Sequence, residues 1–313
     1  MIPPARPLGD FPLSRSALDR DQLSRSTDGF VARALADPRS RILRLGGGRV
    51  PVRADALVLE VADAVPGTVD PAGVVYLGKT VSDDVDADPG TPILLVATAD
   101  AGDADATEGV EWQSPRDVAH LLSDRDAGIV SEALAIAAWH RTSRFCANCG
   151  TETVVRNAGW MRACPHCGVD HFPRTDPAVI VRIVHGDRIL LGSSVLWPTG
   201  RYSLLAGFVE AGESLEAAVL REVEEESGMR LGTPVYLGSQ PWPFPRSLMF
   251  GFHAELADGQ DPDAIERDEE ELDDVRWFSR AELLAADSAV TLPGPTSIAR
   301  AIIDDWLRGD ENP

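Results

Sequence analysis

The sequence predicts an α+β chain in three parts: an N-terminal α+β domain (1–140), a four-cysteine module (141–173) and a C-terminal α/β/α sandwich with a mixed sheet (174–313). Three observations carry this reading. Short β-type runs separated by Gly and Pro fill the N-terminal third and are followed by two helical segments. All four cysteines fall in one 22-residue window. Beyond them, strand-like runs surround one strongly patterned helix. At about 150 residues per domain, 313 residues agree with two domains and a smaller third.

Hydrophobic residues at 44% and charged residues at 25% are ordinary globular values, which excludes global disorder. A net charge of −21 argues against broad, sequence-independent binding to nucleic acid or anionic membrane, because both need a positive surface. Local basic patches are still compatible with that balance. The first 20 residues lack the basic segment and apolar run of a signal peptide, and no stretch approaches the ~20 apolar residues of a membrane span. A soluble, cytoplasmic protein with no membrane partner is therefore expected.

Residues 17–37 read as a helix, with Leu18, Leu23, Phe30, Val31 and Leu35 loosely spaced and Asp28 as a start signal. Strands are expected at 41–45, 56–61, 74–77 and 93–98, and helices at 114–122 and 126–144. The aspartate-rich stretch 81–105 reads as solvated loop. In the C-terminal part, strands are expected at 178–184, 188–191, 202–205, 235–237, 248–256 and 275–278, and helices at 214–227 and 296–307.

Gly73-Val-Val-Tyr-Leu-Gly78-Lys79-Thr80 fits the letters of a phosphate-binding loop, G-x4-G-K-[ST]. Such a loop needs flexible backbone wrapped around phosphate and a helix aimed at the anion. Here Val, Val, Tyr and Leu form a strand, and the aspartate-rich sequel is a poor helix, so ATP binding is rejected.

Cys146-Ala-Asn-Cys149 and Cys164-Pro-His-Cys167 are two C-x2-C knuckles with 14 residues between them. Four thiolates so spaced complete a closed, tetrahedral structural site for one Zn²⁺. His166 sits inside the second knuckle but is a bystander to a full tetrahedron. With no dense basic patch, the module reads mainly as a structural clasp.

The most informative stretch runs from Gly207 to Met229. At 3.6 residues per turn, Glu222 lies one turn from Glu225 and Glu226, so three carboxylates share a helix face. No lysine relieves their repulsion, and Arg221 is the only cation nearby. Hard divalent cations such as Mg²⁺ or Mn²⁺ are the natural neutraliser. Leu215, Ala218, Val219 and Val223 supply an apolar stripe toward a sheet. Gly207 and Gly212 bracket a loop able to offer the Ala206 carbonyl to a metal, and Gly228 ends the helix as a C-cap.

The pattern G-x5-E-x7-R-E-U-x-E-E-x-G-U, with U apolar, is carried by Gly207, Glu213, Arg221, Glu222, Val223, Glu225, Glu226, Gly228 and Met229. It resembles the Nudix box at every fixed position. The resemblance implies an α/β/α sandwich that hydrolyses a nucleoside diphosphate linked to another moiety, using two or three Mg²⁺ or Mn²⁺ ions. It implies metal-ligand roles for Glu222, Glu225 and Glu226, with Glu226 nearest the catalytic water. Arg221 joins the catalytic set by orienting, with Glu213, the helix and its loop. Which glutamate is the general base varies within the superfamily.

Downstream lies Ser239-Gln240-Pro241-Trp242-Pro243-Phe244-Pro245-Arg246-Ser247, a stiff extended segment that aims two aromatic faces, suited to stacking on a base or nicotinamide. This array after a Nudix box, with a four-cysteine ribbon before it, resembles the NADH pyrophosphatases of the NudC type, closely over about residues 145–305. The resemblance implies substrate contacts from Gln240, Pro241, Trp242, Pro243, Phe244, Pro245, Arg246 and Ser247, from Phe172 at the ribbon exit and from the Ala299 backbone. It implies a further metal-binding glutamate, and counting back from Trp277 favours Glu271. Gly159 stands where some relatives have an acidic residue, so a substrate contact carried by that side chain is missing. The expected reaction is hydrolysis of NAD(H) to NMN(H) and AMP, extended to removal of NAD caps from RNA 5′ ends, by a homodimer. A hydrolase of ADP-ribose or other dinucleotides, and a non-catalytic nucleotide- or RNA-binding regulator, are the alternatives.

Overall fold

A computed structural model describes residues 8, 11–62, 73–82, 86–98, 109–285 and 289–309. The chain divides into two compact units: Leu13–Thr175 with Trp242–Arg246, and Met1–Pro12 with Asp176–Pro241 and Ser247–Pro313.

In the first unit, a five-stranded mixed sheet runs in the order Leu18–Asp19, Val74–Thr80, Pro92–Thr98, Arg41–Gly46, Glu60–Val61. Alternation sorts its side chains onto two faces. Leu43, Leu45, Val75, Leu77 and Leu95 pack with Ile129, Ala133 and Ile136 of the helix Asp124–Thr142. Ile42, Val74, Tyr76 and Leu94 form the other face with Ala34. Ser123 caps the long helix by accepting from the Asp126 amide, and Asp124 and Asp126 sit in its first turn, where acidic residues complement the helix dipole.

Several expectations are corrected in this unit. The helix expected over 17–37 breaks into the strand Leu18–Asp19 and helices Gln22–Arg25 and Phe30–Ala36, because Asp21 and Gly29 adopt left-handed backbone. The run 56–61 splits into Ala56–Leu57 and Glu60–Val61, and the helix expected over 114–122 is confined to Pro115–Val118. Strands Val50–Arg53 and Glu111–Gln113 were not foreseen; each is short and stabilised by pairing with the other. The P-loop lookalike is indeed a strand, with Lys79 paired to Asp19 and Asp21. Of the aspartate-rich stretch, residues 83–85 and 99–105 lie outside the described residues. The cysteine module carries a small sheet of Val154–Arg156, Met161–Ala163 and Asp170–His171.

The second unit is a mixed six-stranded sheet. Asp176–His185 runs parallel to Ser247–Glu255 and antiparallel to Leu205–Phe208; Arg188–Ser194 joins Leu272–Ser279, and Val235–Trp242 forms an edge. Val179, Val181 and Ile183 face the helix Leu215–Ser227, whereas Ile180 faces Ile298, Ile302 and Trp306 of the helix Ile298–Arg308. The sheet is thus covered by a helix on each side, an α/β/α sandwich. The strand expected at 202–205 begins instead at Leu205, since Tyr202 and Ser203 make only isolated bonds to Thr291 and Gly192. No helix of the described residues is long and apolar enough to cross a membrane.

Candidate active site

Ser214 starts the carboxylate helix by accepting from the Ala217 amide, and Gly228 ends it in left-handed backbone with its N–H bound to the Glu224 carbonyl. Ala218, Val219 and Val223 are fully buried against the sheet, which fixes the rotation of the helix and hence the direction of its acids.

Arg221 organises the loop and helix together. Its Nε and Nη2 donate to the two oxygens of Glu213 at 2.8 Å each. Nη2 also donates to the Phe208 carbonyl at 3.0 Å, while Nη1 reaches Glu225 at 2.9 Å and Glu222 at 3.0 Å. The bidentate guanidinium, with the Glu210 amide, holds Glu213 at a pKa of about 2. Gly207 has a steric reason: a Cβ there would sit 1.9 Å from the Glu222 carboxylate carbon. The box glycine therefore lets Glu222 lie against the strand that carries Ala206.

Glu226 is 7% exposed, and its Oε2 has no hydrogen-bond partner among the described residues. Burial pushes its pKa up to about 8, reinforced by Glu222 and Glu271 and opposed by a hydrogen bond from the Ala206 backbone. Burial also raises Glu222, and Glu225 and Glu271 add to that shift. Glu222, Glu226 and Glu271 thus stand within electrostatic reach of one another. Glu225 is exposed and held on Arg221. No three of these four acids bring ligand oxygens within 4.8 Å of one another. A buried, unpartnered oxygen among like charges, with oxygen donors only, fits a hard divalent cation.

The four cysteine sulfurs do lie within 4.8 Å of one another. Cys146 to Cys167 is 3.6 Å and Cys149 to Cys164 is 3.5 Å, close to the edge of about 3.8 Å expected for sulfurs ~2.3 Å from a central zinc. Amides of Gly150 and Gly168 close each knuckle onto the carbonyls of Cys146 and Cys164. His171 Nε2 lies 3.3 Å from Cys146 Sγ, a contact that sequence reasoning missed; its place three residues after a knuckle glycine was the available signal. The set fits one structural zinc ion.

The remaining expected residues fall on both units. Phe172 is exposed at 63%. Trp242 and Phe244 meet edge to face at 5.0 Å, with the Arg116 guanidinium over both rings. Pro243 is buried, Pro245 exposed, and Pro241 and Arg246 half-buried. Gln240 is fully buried and donates to the Thr296 carbonyl, which ties its strand to the start of the last helix. Ser247 begins the strand paired to Asp176. The buried Ala299 has its amide bound to the Ser297 cap. Gly159 has φ +97°, and a Cβ there would meet Val75 at 2.7 Å, so this position excludes any side chain.

Family models match in series: the NADH pyrophosphatase-like rudimentary NUDIX domain over residues 30–139, the NADH pyrophosphatase zinc ribbon domain over 141–172 and the NUDIX domain over 174–295. The chain is 38% identical over 312 residues to "NAD-capped RNA hydrolase NudC" of Mycobacterium bovis, covering 94% of each. The chain belongs to the NudC family of Nudix hydrolases. A NudC protein of Pseudomonas aeruginosa is 46% identical over 175 residues, 56% of this chain and 59% of that one. Among solved structures, a NUDIX hydrolase from Nitrosomonas europaea matches with a TM-score of 0.44 and 22% identity, over 53% of this chain and 92% of that one. Membership of the NudC family implies a catalytic divalent metal, which the donor set around Glu226 fits.

Proposed function

We propose that this chain hydrolyses the pyrophosphate of NAD(H) to NMN(H) and AMP, and that it removes NAD caps from RNA 5′ ends, releasing NMN and 5′-monophosphate RNA. The observation that carries the chemistry is the buried Glu226 carboxyl among Glu222 and Glu271, inside a complete Nudix box. Relatives named for NAD-capped RNA, matched over 94% of the chain, carry the substrate.

Glu222, Glu225, Glu226 and Glu271, with the Ala206 carbonyl, would hold two or three Mg²⁺ or Mn²⁺ ions. Such ions, when bound, neutralise the pyrophosphate and lower the pKa of a coordinated water. Glu226, in its ionised form, accepts the proton of the attacking water, a role for which a carboxylate of raised basicity is suited. One phosphorus–oxygen bond to water forms, the bridging one breaks, and the second phosphate leaves with its nucleoside. Arg221 fixes the loop and the acids through Glu213, Glu222 and Glu225. Trp242 and Phe244 offer faces to nicotinamide or base, supported by Gln240, Pro241, Pro243, Pro245, Arg246 and Ser247, and by Phe172 and Ala299. One zinc on Cys146, Cys149, Cys164 and Cys167 clasps the ribbon. The working division is 1–140, 141–173 and 174–313, in a cytoplasmic homodimer.

Side-by-side kinetics on NADH, NAD⁺, NAD-capped RNA and ADP-ribose test the substrate. Aromatic stacking is worth about 1–3 kcal/mol, so ADP-ribose, lacking nicotinamide, is expected to show kcat/KM lower by roughly tenfold or more. Equal values would favour the ADP-ribose reading.

A further inference from the structure

The N-terminal unit contains a cavity of about 790 Å³, within the range of small-molecule sites. Leu45, Val75, Leu95, Leu134 and Ala137 make its apolar wall, and Phe244 adds an aromatic one. Its ionisable lining among the described residues is Arg116, Arg141, Arg162 and His140, with no aspartate or glutamate among them, in a chain whose net charge is −21.

Arg162 is the decisive group. It is 7% exposed, yet no carboxylate among the described residues lies within 4.0 Å of its guanidinium. Its Nε donates to Thr153 Oγ1 at 2.7 Å and Nη2 to the Thr153 carbonyl at 3.0 Å. His140 Nε2 faces the Gly159 carbonyl at 2.8 Å, an oxygen that only accepts, so the proton is on Nε2. Nδ1 is then the acceptor for Arg162 Nη1 at 3.2 Å. These neutral partners orient the guanidinium and use three of its five N–H groups without balancing its charge. A buried guanidinium that no carboxylate touches, with Glu152 acting on it only through space, is costly, whereas a guanidinium fork with free donors matches a phosphate or carboxylate. Arg141 lines the same cavity and forms no ion pair among the described residues.

We propose that this cavity is a binding site for a mononucleotide-sized phosphate ester, its phosphate on Arg162 and Arg141 and its flat apolar body against Phe244 and the aliphatic wall. The site shares Phe244 with the substrate face of the proposed function but goes beyond that reading: it needs no divalent cation and uses none of the Nudix-box acids.

The test is calorimetric titration of the full, zinc-loaded chain with AMP in buffer without added Mg²⁺ or Mn²⁺, with adenosine as the uncharged control. AMP is expected to bind, and adenosine and the Arg162→Met variant to show affinity lower by about tenfold or more, as loss of a bidentate charged contact implies. Ala137→Phe, which narrows the cavity from the helix Asp124–Thr142, is expected to abolish binding while zinc content and thermal melting stay normal. Glu226→Gln is expected to bind AMP like the parent, which separates this site from the hydrolytic one. Absence of AMP binding, or equal affinity in the parent and both cavity variants, would overturn the proposal.

Discussion

Replacing Glu226 by Gln separates the stability of the second unit from its chemistry. The side chain keeps its shape, and its oxygen still accepts from the Ala206 amide, but it cannot ionise. In the native protein the Glu226 carboxyl is pushed up to about 8 from an ordinary 4.5, chiefly by burial and then by Glu222 and Glu271. A folded-state pKa above the unfolded one means that the contribution to stability is fully present below about pH 4.5 and is lost as pH rises through about 8. At pH 7 the native carboxyl is still largely protonated while the unfolded one is ionised, a cost on the order of 3 kcal/mol that approaches roughly 5 kcal/mol by pH 9. Glu226→Gln removes that slope. Urea unfolding at pH 5, 7 and 9 without added divalent cations is expected to show the variant gaining on the parent as pH rises, by several kcal/mol at pH 9. Added Mg²⁺ or Mn²⁺ is expected to flatten the parent's curve, because the ionised acid then has a counter-charge. Parallel pH profiles of the two proteins would refute the reasoning.

Three further outcomes follow from the site. Gly207→Ala drives a methyl group into the Glu222 carboxylate and is expected to lower kcat by about 100-fold with little change in KM, since a displacement near 1 Å has that cost; steady-state kinetics on NADH measure it. Arg221→Lys loses the fork on Glu213 and is expected to lower the midpoint of denaturant melts. Cys164→Ser opens the sulfur tetrahedron: metal analysis is expected to fall from one zinc per chain to none, with loss of the ribbon's near-ultraviolet circular dichroism.

Much of the site is legible in the sequence because its chemistry constrains residue types at fixed spacings. Two C-x2-C knuckles announce a sulfur cluster before any fold is known, and the structure brings those four sulfurs together. The helix Leu215–Ser227 is bounded by its own punctuation, Ser214 and Gly228, and its apolar stripe selects the buried face. What escapes the sequence is set by distant partners. The helix expected over 17–37 fails because Leu18–Asp19 pairs with Lys79 and Thr80, a contact no local pattern encodes. Gly207 reads as one end of a loop that approaches a metal, whereas its steric role comes from a Glu222 carboxylate 15 positions away. The Arg162–His140–Gly159 chain is equally invisible, for it joins a helix end to the ribbon.

In the proposed mechanism, the acids of the carboxylate helix drive cleavage of the NAD(H) pyrophosphate. Its most direct test is chromatography of the products formed when the purified chain is incubated with NADH and either Mg²⁺ or Mn²⁺, beside the Glu226→Gln variant. NMNH and AMP are expected in equal amounts from the parent, with loss of both in the variant; no turnover with either metal would contradict this mechanism.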